Sequence, residues 1–183
     1  MTLAITPSIP ATAAHSAGQP VEPAAFRHAM RHLAGAVSAI TIGRGEDRTG
    51  FTATSVSSLA ADTPSVIVSL NRSSSSWPAV ERYGSFCVNI LAEDQAAIAD
   101  NFAGRGGIKG ADRYLGSEWR ELVTGAPALV DALVVLDCLL EEAISRHSHA
   151  ILIGRVRAVS IRPEAKPLLY WHGAYRQISD HTA

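Results

Sequence analysis

Cysteine, net charge and long apolar runs are all scarce in this sequence. Its 183 residues hold two cysteines, a formal net charge of −1 and no wholly apolar run longer than Ala132–Leu136. With 16 basic against 17 acidic side chains, no global field exists to draw in nucleic acid or an anionic membrane, so small molecules or protein surfaces are the expected partners. A membrane helix needs roughly 18–20 apolar residues, and none is expected. Cys87 and Cys138 stand in apolar, strand-like runs without CxxC or other zinc spacing, which reads as a pair of buried thiols in a reducing compartment. The composition, 47% hydrophobic, 18% charged and 6% aromatic, excludes a disordered chain, a collagen-like fibre and a disulfide scaffold. At this length a single domain buries roughly 70% of its unfolded surface.

Lysine and arginine are also missing from Met1 to Ala25, where Pro7, Pro10, Pro20 and Pro23 punctuate an Ala/Ser/Thr background. Residues 1–25 therefore read as a mobile arm. A secretory signal or a mitochondrial presequence would need basic side chains there. A cytoplasmic protein is expected, with one domain over 26–178 and a short tail over 179–183.

Within that domain, Phe26, Ala29, Met30 and Leu33 fall on one face of a helix expected over 23–34. Strands are expected over 36–42 and 48–54, joined as a hairpin, then over 65–70, 86–91 and 150–161. A serine-capped helix is expected from Ser76 to Tyr83, and a second from Asp94 to Phe102, stopped by Gly104. From Val134 onward, Val134, Leu136, Cys138, Leu140 and Ile144 share one parity while Asp137, Glu141 and Ser145 take the other. That two-residue period predicts a strand wet on one face. A last strand pair, 168–171 and 175–178, is expected to turn at Gly173. Six or more strands, two or three short helices and no regular βαβ alternation predict a mainly β protein built as an antiparallel barrel.

The common catalytic signatures are absent. There is no GxSxG elbow, Lys109-Gly110 reverses the GK of a P-loop, and Gly104, Gly106 and Gly110 miss the spacing of a Rossmann fingerprint. His28 and His32 lack the intervening Glu of an HExxH helix, and His147 and His149 lack a third ligand, so no metal is expected. What is present is a pattern of donors in three segments: Thr52–Ser58, Ser69–Ser76 with Arg72, and Phe102–Gly110 with Arg105 and Lys109. Each alone suits a solvated turn. Together they suit a ligand with a phosphate and a flat polar ring, which needs N–H, O–H and guanidinium groups at several places.

In order and spacing, FRHAMRHLAGAVSAIT, GFTATSVSSLAADTPSVIVSLNRSSSSWPAV, FCVNIL, NFAG, LDCLLEEAISRHSHAILIGRV and PLLYWHGAYRQI resemble the short-chain flavin reductases of the FMN-binding split-barrel superfamily. These are the reductase partners of two-component flavin monooxygenases. The resemblance covers nearly all of the chain from Phe26 to Ile178. It implies a six-stranded antiparallel Greek-key split β-barrel with a few short flanking helices, a homodimer, and FMN or FAD held near the subunit interface with NADH or NADPH as electron donor. A separate monooxygenase would take the reduced flavin.

The resemblance also implies residue roles. Thr52, Ala53, Thr54 and Ser55 would line the isoalloxazine through their backbone N–H groups. Ser69, Asn71, Arg72, Ser73 and Ser75 would follow the ribityl chain and phosphate, and Phe102, Ala103, Gly104 and Lys109 would close the other side. His149 matches the histidine of the family's GDH turn, here preceded by His147-Ser148, and would position the nicotinamide. Tyr175 is a further cofactor contact or a plain barrel-end aromatic. The same residues also fit a split barrel that keeps its flavin and reduces another acceptor, or a non-enzymatic flavin-binding module.

Overall fold

The computed structural model describes residues 20–179. Of the arm expected over 1–25, residues 1–19 lie outside the described residues and residues 23–25 open the first helix; of the tail expected over 179–183, residues 180–183 lie outside. The elements run α1 (Pro23–Met30), β1 (Gly35–Ala36), β2 (Ser38–Ile42), β3 (Thr49–Ala53), β4 (Ser57–Ala60), β5 (Ser65–Asn71), α2 (Trp77–Tyr83), β6 (Ser85–Ile90), α3 (Ala96–Ala103), β7 (Trp119–Glu121), β8 (Pro127–Leu129), β9 (Val134–Arg146), β10 (His149–Ile161), β11 (Leu169–Trp171) and β12 (Ala174–Arg176). No helix among them is long and apolar enough to cross a membrane.

The protein is mainly β, and its principal sheet is antiparallel throughout, in the order β3-β2-β6-β9-β10-β5-β4. That makes seven strands where six were expected. The addition is β4, a wholly exposed Ser-Ser-Leu-Ala run with no apolar alternation to announce it. The two edge strands, β3 and β4, follow one another in the chain, and no ladder joins them among the described residues. Two small sheets, β1-β11-β12 and β7-β8, pack alongside.

β2 is buried at all five positions because its two faces serve two cores. Ala39 joins Val37, Cys87 and Phe102 on one side, while Ile40 and Ile42 join Val68, Phe86 and Val88 on the other. The same double burial corrects the expectation for β9. Asp137, assigned to a wet face by parity, is fully buried. The β7–β8 side of the molecule covers it, and its carboxylate accepts bonds from the Val123 and Thr124 N–H groups at 2.8 Å each and from the Thr124 hydroxyl. Asn89 ties the layers together, its Nδ2 donating to Ala39 O at 3.0 Å and its Oδ1 accepting from Leu129 N–H at 2.7 Å.

Both cysteines are free and buried, as expected. Burial raises the Cys87 thiol well above its ordinary range and takes Cys138 to about 12, with the nearby Asp137 charge a secondary cause in each. Two helix expectations need correction. α1 stops at Met30, four residues early, and buries none of its side chains. Ser76 does sit at the start of α2 but makes no cap. Its hydroxyl instead donates to Gly50 O at 2.9 Å, because the adjacent β3 offers a buried carbonyl.

Candidate functional site

β3 is the edge strand that organises the site. An edge strand leaves every second backbone N–H and C=O without a ladder partner, so the run through Thr52–Ser55 has main-chain donors to offer. α3 is drawn tightly onto this strand. A Cβ at Gly50 would lie 2.3 Å from Ile40 O and 2.6 Å from the Phe102 ring, so only glycine fits there. The Thr52 hydroxyl then donates to Ala99 O at 2.7 Å, which commits that side chain to the scaffold. α3 ends where expected: Gly104 takes the left-handed conformation, φ 74°, and Arg113 Nη1 donates to the Asn101 and Phe102 carbonyls at 3.0 and 2.6 Å.

Past the end of β3 lies a hollow of 220 Å3 lined by Thr52, Ala53, Thr54, Ala103, Arg105, Tyr170 and Tyr175. Tyr175 forms its aromatic wall and is locked in place. Its hydroxyl donates to Asp100 Oδ1 at 2.7 Å, the same oxygen meets Arg105 Nε at 3.2 Å, and the Arg105 guanidinium stands 5.7 Å from the Tyr175 ring centroid. Desolvation, then the bond to Asp100, pushes the Tyr175 phenol up to about 12. It is a neutral donor at any ordinary pH.

At the opposite end of β3 a second hollow, 330 Å3, is lined by Arg48, Thr49, Ser75, Arg82, Tyr83 and Lys109 among others. Arg82 is paired with Asp47 at 3.0 Å. Arg48 is different: its guanidinium lies 4.7 Å over the Tyr114 ring, and its Nε is buried with no hydrogen-bond partner. A buried, unpartnered, charged donor is costly to keep and suits an anion arriving from outside. Thr49 and Thr52 are three residues apart, so the two hollows are separated by about 10 Å along the strand, the order of length of a ribityl phosphate.

The 69–76 turn connects these regions but spends Asn71, Ser73 and Ser74 on itself. Ser69 N–H donates to Ser55 Oγ at 3.1 Å. Asn71 Oδ1 accepts from the Ser73 N–H at 3.0 Å and from the Ser73 hydroxyl at 2.9 Å, and the Arg72 guanidinium leans over Trp77, 5.8 Å from its centroid. His149 opens β10 opposite Asn71, with Nδ1 2.9 Å from Ser148 Oγ, while Ser148 O accepts from Arg72 N–H at 2.9 Å.

The structure thus brings Thr52, Ala53, Thr54, Ala103 and Tyr175 into one hollow, Ser75 and Lys109 into another, and Ser55 with Ser69. Asn71, Arg72, Ser73 and His149 form a group of their own, and His149 does not line the Tyr175 hollow. Phe102 departs from its expected role, since its ring is core, packed 5.1 Å from Tyr114 and 5.5 Å from Trp119. Sequence reasoning passed over Arg48, Asp100 and Tyr170. Arg48 and Tyr170 lie outside the donor-rich runs and Asp100 lies inside a helix, so no local pattern marks them. Among the described residues no group of three or more ligating side chains could hold a metal ion.

A flavin fits this donor set: edge-strand amides and a tyrosine wall for a flat polar ring, and an orphaned cationic donor a ribityl length away for a phosphate. Comparison with known proteins points the same way. The model of the flavin reductase like domain matches residues 30–179. A protein named FMN reductase (NADH) RutF 1, from Methylorubrum extorquens, is 41% identical over 170 residues, spanning 91% of this chain and 82% of its own. A Klebsiella pneumoniae protein named FMN reductase (NADH) RutF is 36% identical over 155 residues, 85% of this chain and 93% of its own. Among solved structures, BorF, the flavin reductase component of a bacterial two-component tryptophan halogenase, superimposes with a TM-score of 0.79 at 27% identity, covering 87% of this chain and 100% of BorF. The flavin reductase PheA2 does so with a TM-score of 0.78 at 28% identity and the same coverage. The chain belongs to the flavin reductase like domain family.

Proposed function

We propose that this protein is an NADH:flavin oxidoreductase that reduces FMN or FAD and supplies the reduced flavin to a partner monooxygenase. The observation that carries the reading is the hollow at the free edge of β3, with its tyrosine wall and, at the far end of the same strand, the unpartnered Arg48 donor beside Lys109. The relatives' names favour FMN and NADH among the alternatives. Bound flavin supplies the chemistry, a ring whose N5 accepts the hydride of the nicotinamide.

The chain's own part is geometric and electrostatic. The main-chain amides of Thr52–Ser55, at the end of β3 and just beyond it, would meet the ring's polar edge and favour the negative charge that reduction leaves there. Tyr175, held by Asp100, would orient the ring. Arg48, Ser75 and Lys109 bind the phosphate, and the 69–73 turn borders the chain between. Phe102 and Gly104 contribute by placing Ala103. His149 would act as a positioning residue through Asn71 and Arg72, whose backbones it and Ser148 hold. Two further expectations complete the proposal: the principal sheet curls into a Greek-key split barrel, and two chains associate through the exposed apolar stretch of β10 bearing Val159 and Ile161.

The test is oxidation of NADH by purified protein with and without added FMN or FAD, followed by loss of the reduced-nicotinamide absorbance. Strict dependence on added flavin is expected. Purification with tightly held flavin and turnover without addition would replace this reading by that of a prosthetic flavoprotein. Flavin binding without any turnover would replace it by that of a binding module.

A further inference from the structure

The end of α1 meets the β11–β12 turn through a pair of histidines that the proposed function does not use. His32, just past the helix, presents Nδ1 to His172 Nε2 at 3.1 Å, with the two rings nearly perpendicular. His28, one helical turn earlier, stands edge-on to His32 at 5.5 Å between ring centroids. His172 sits in the turn itself with φ 51°, a left-handed conformation uncommon for a residue with a side chain, and its N–H donates to Arg31 O at 3.1 Å. α1 has little else to hold it. It buries none of its side chains, and Phe26, Met30 and Leu33 line a 610 Å3 cavity with Tyr170 and Trp171 of the hairpin instead of closing on them.

Two imidazoles at this distance form a hydrogen bond when one ring donates and the other accepts, so at least one of them must be neutral. A second proton removes the acceptor and sets two positive charges against each other at contact distance. The surroundings offer no relief. The other charged or titratable groups around the pair are Arg27, His28 and Arg31 from α1 and its end, Arg176 from β12 and the Tyr170 phenol from β11, while β1 beside β11 adds Gly35 and Ala36. No carboxylate is among them, and no ion pair of the described residues involves these arginines. Desolvation, then the His32, His28, Arg31 and Arg176 charges, hold the His172 imidazole below its ordinary 6.5. A base lowered in this way stabilises the docked state fully above that value, and the contribution is lost as the pH falls below it.

We propose that the His32–His172 pair is a pH-sensitive latch, holding the end of α1 on the β11–β12 hairpin at neutral pH and releasing it in mild acid. Release takes Phe26, Met30 and Leu33 off the cavity they line and leaves the principal sheet in place. The latch is a property of the fold and does not rest on the flavin reductase reading.

The test is amide hydrogen exchange of the full chain at about one pH unit above and one below 6.5, read as protection factors so that the intrinsic effect of pH on exchange cancels. The His172 amide reports the latch, and the Val37 amide, bonded to Leu168 O at 2.9 Å, reports the fold. Protection at His172 is expected to fall about fivefold across the interval, the value when the docked pair takes up one proton and two free imidazoles take up two. Val37 should keep its protection. His32→Asn offers His172 a neutral acceptor in either charge state and should flatten the dependence, whereas His28→Gln, which leaves the pair intact, should retain the fall. An unprotected His172 amide at the higher pH would overturn the proposal, as would a change of less than about twofold or the same fall in His32→Asn. So would a parallel fall at Val37, since acid would then be acting on the whole fold.

Discussion

Replacing Arg48 by methionine should separate phosphate recognition from ring recognition. Methionine keeps much of the apolar stem packing while removing the guanidinium. In the folded protein the Arg48 Nε is already buried without a partner, so the cost of stripping its water has been met before any ligand arrives. A phosphate then gains a charge-assisted bond worth about 1.5–3 kcal/mol. At a middle value of about 2 kcal/mol, the affinity for FMN falls about 30-fold. Lys109 lines the same hollow but is exposed, and its replacement by alanine should cost about 0.5–1 kcal/mol, roughly two- to fivefold. The assay is quenching of flavin fluorescence on titration with protein, run in parallel with FMN and with riboflavin, which lacks the phosphate. Riboflavin affinity should be unchanged in both variants. An equal loss for the two flavins would mean that Arg48 acts by holding Tyr114 and β3 in shape, and no loss for FMN would remove the phosphate from this hollow altogether.

Other expectations follow from single groups. Asp137→Ala leaves the Val123 and Thr124 N–H groups buried without their acceptor and should destabilise the fold by about 3 kcal/mol; Asp137→Asn, which keeps one acceptor oxygen, should lose less, as denaturant midpoints would show. Tyr175 titrates near its ordinary 10 when unfolded and at about 12 when folded, so the folded state alone holds this proton between those values. Its contribution to stability is complete below pH 10 and lost as the pH rises toward 12. Tyr175→Phe should make the alkaline fall in stability shallower, and an identical fall would refute the assignment. With both thiols buried and raised, the native protein should react slowly or not at all with a thiol reagent. The guanidinium-unfolded chain should then show two reactive thiols, and rapid modification of the folded protein would contradict the burial.

Local signals carried the sequence reading a long way. The apolar runs of β2, β5 and β6, the glycine that ends α3 and the turn at Gly173 are all decided by residues within a few positions of one another, and they appear where expected. What failed was decided elsewhere in the chain. The parity of β9 was sound, but its outward face at Asp137 is covered by a loop more than ten residues upstream, which no reading of 134–146 reveals. Ser76 was a plausible cap until β3, over twenty residues earlier, offered it a better partner. Arg48 has nothing in its neighbourhood to mark it, because its distinction is an unpartnered nitrogen on a guanidinium that stacks over Tyr114, far along the chain. Tyr170 likewise gains meaning only when β11 pairs with β1 and brings it beside Thr54.

The unpaired sheet edge proposed for the ring has a consequence for how the family can drift. Main-chain amides are the same whatever side chain they carry. Thr52 is committed to α3 and Ser55 to Ser69, so little of the proposed recognition along 52–55 is written in side chains. Substitutions across 52–55 that keep the strand extended should therefore preserve the ligand while erasing the letters. In such a protein inheritance guards the backbone path, through residues such as Gly50 that permit it, more closely than the residues that line the pocket.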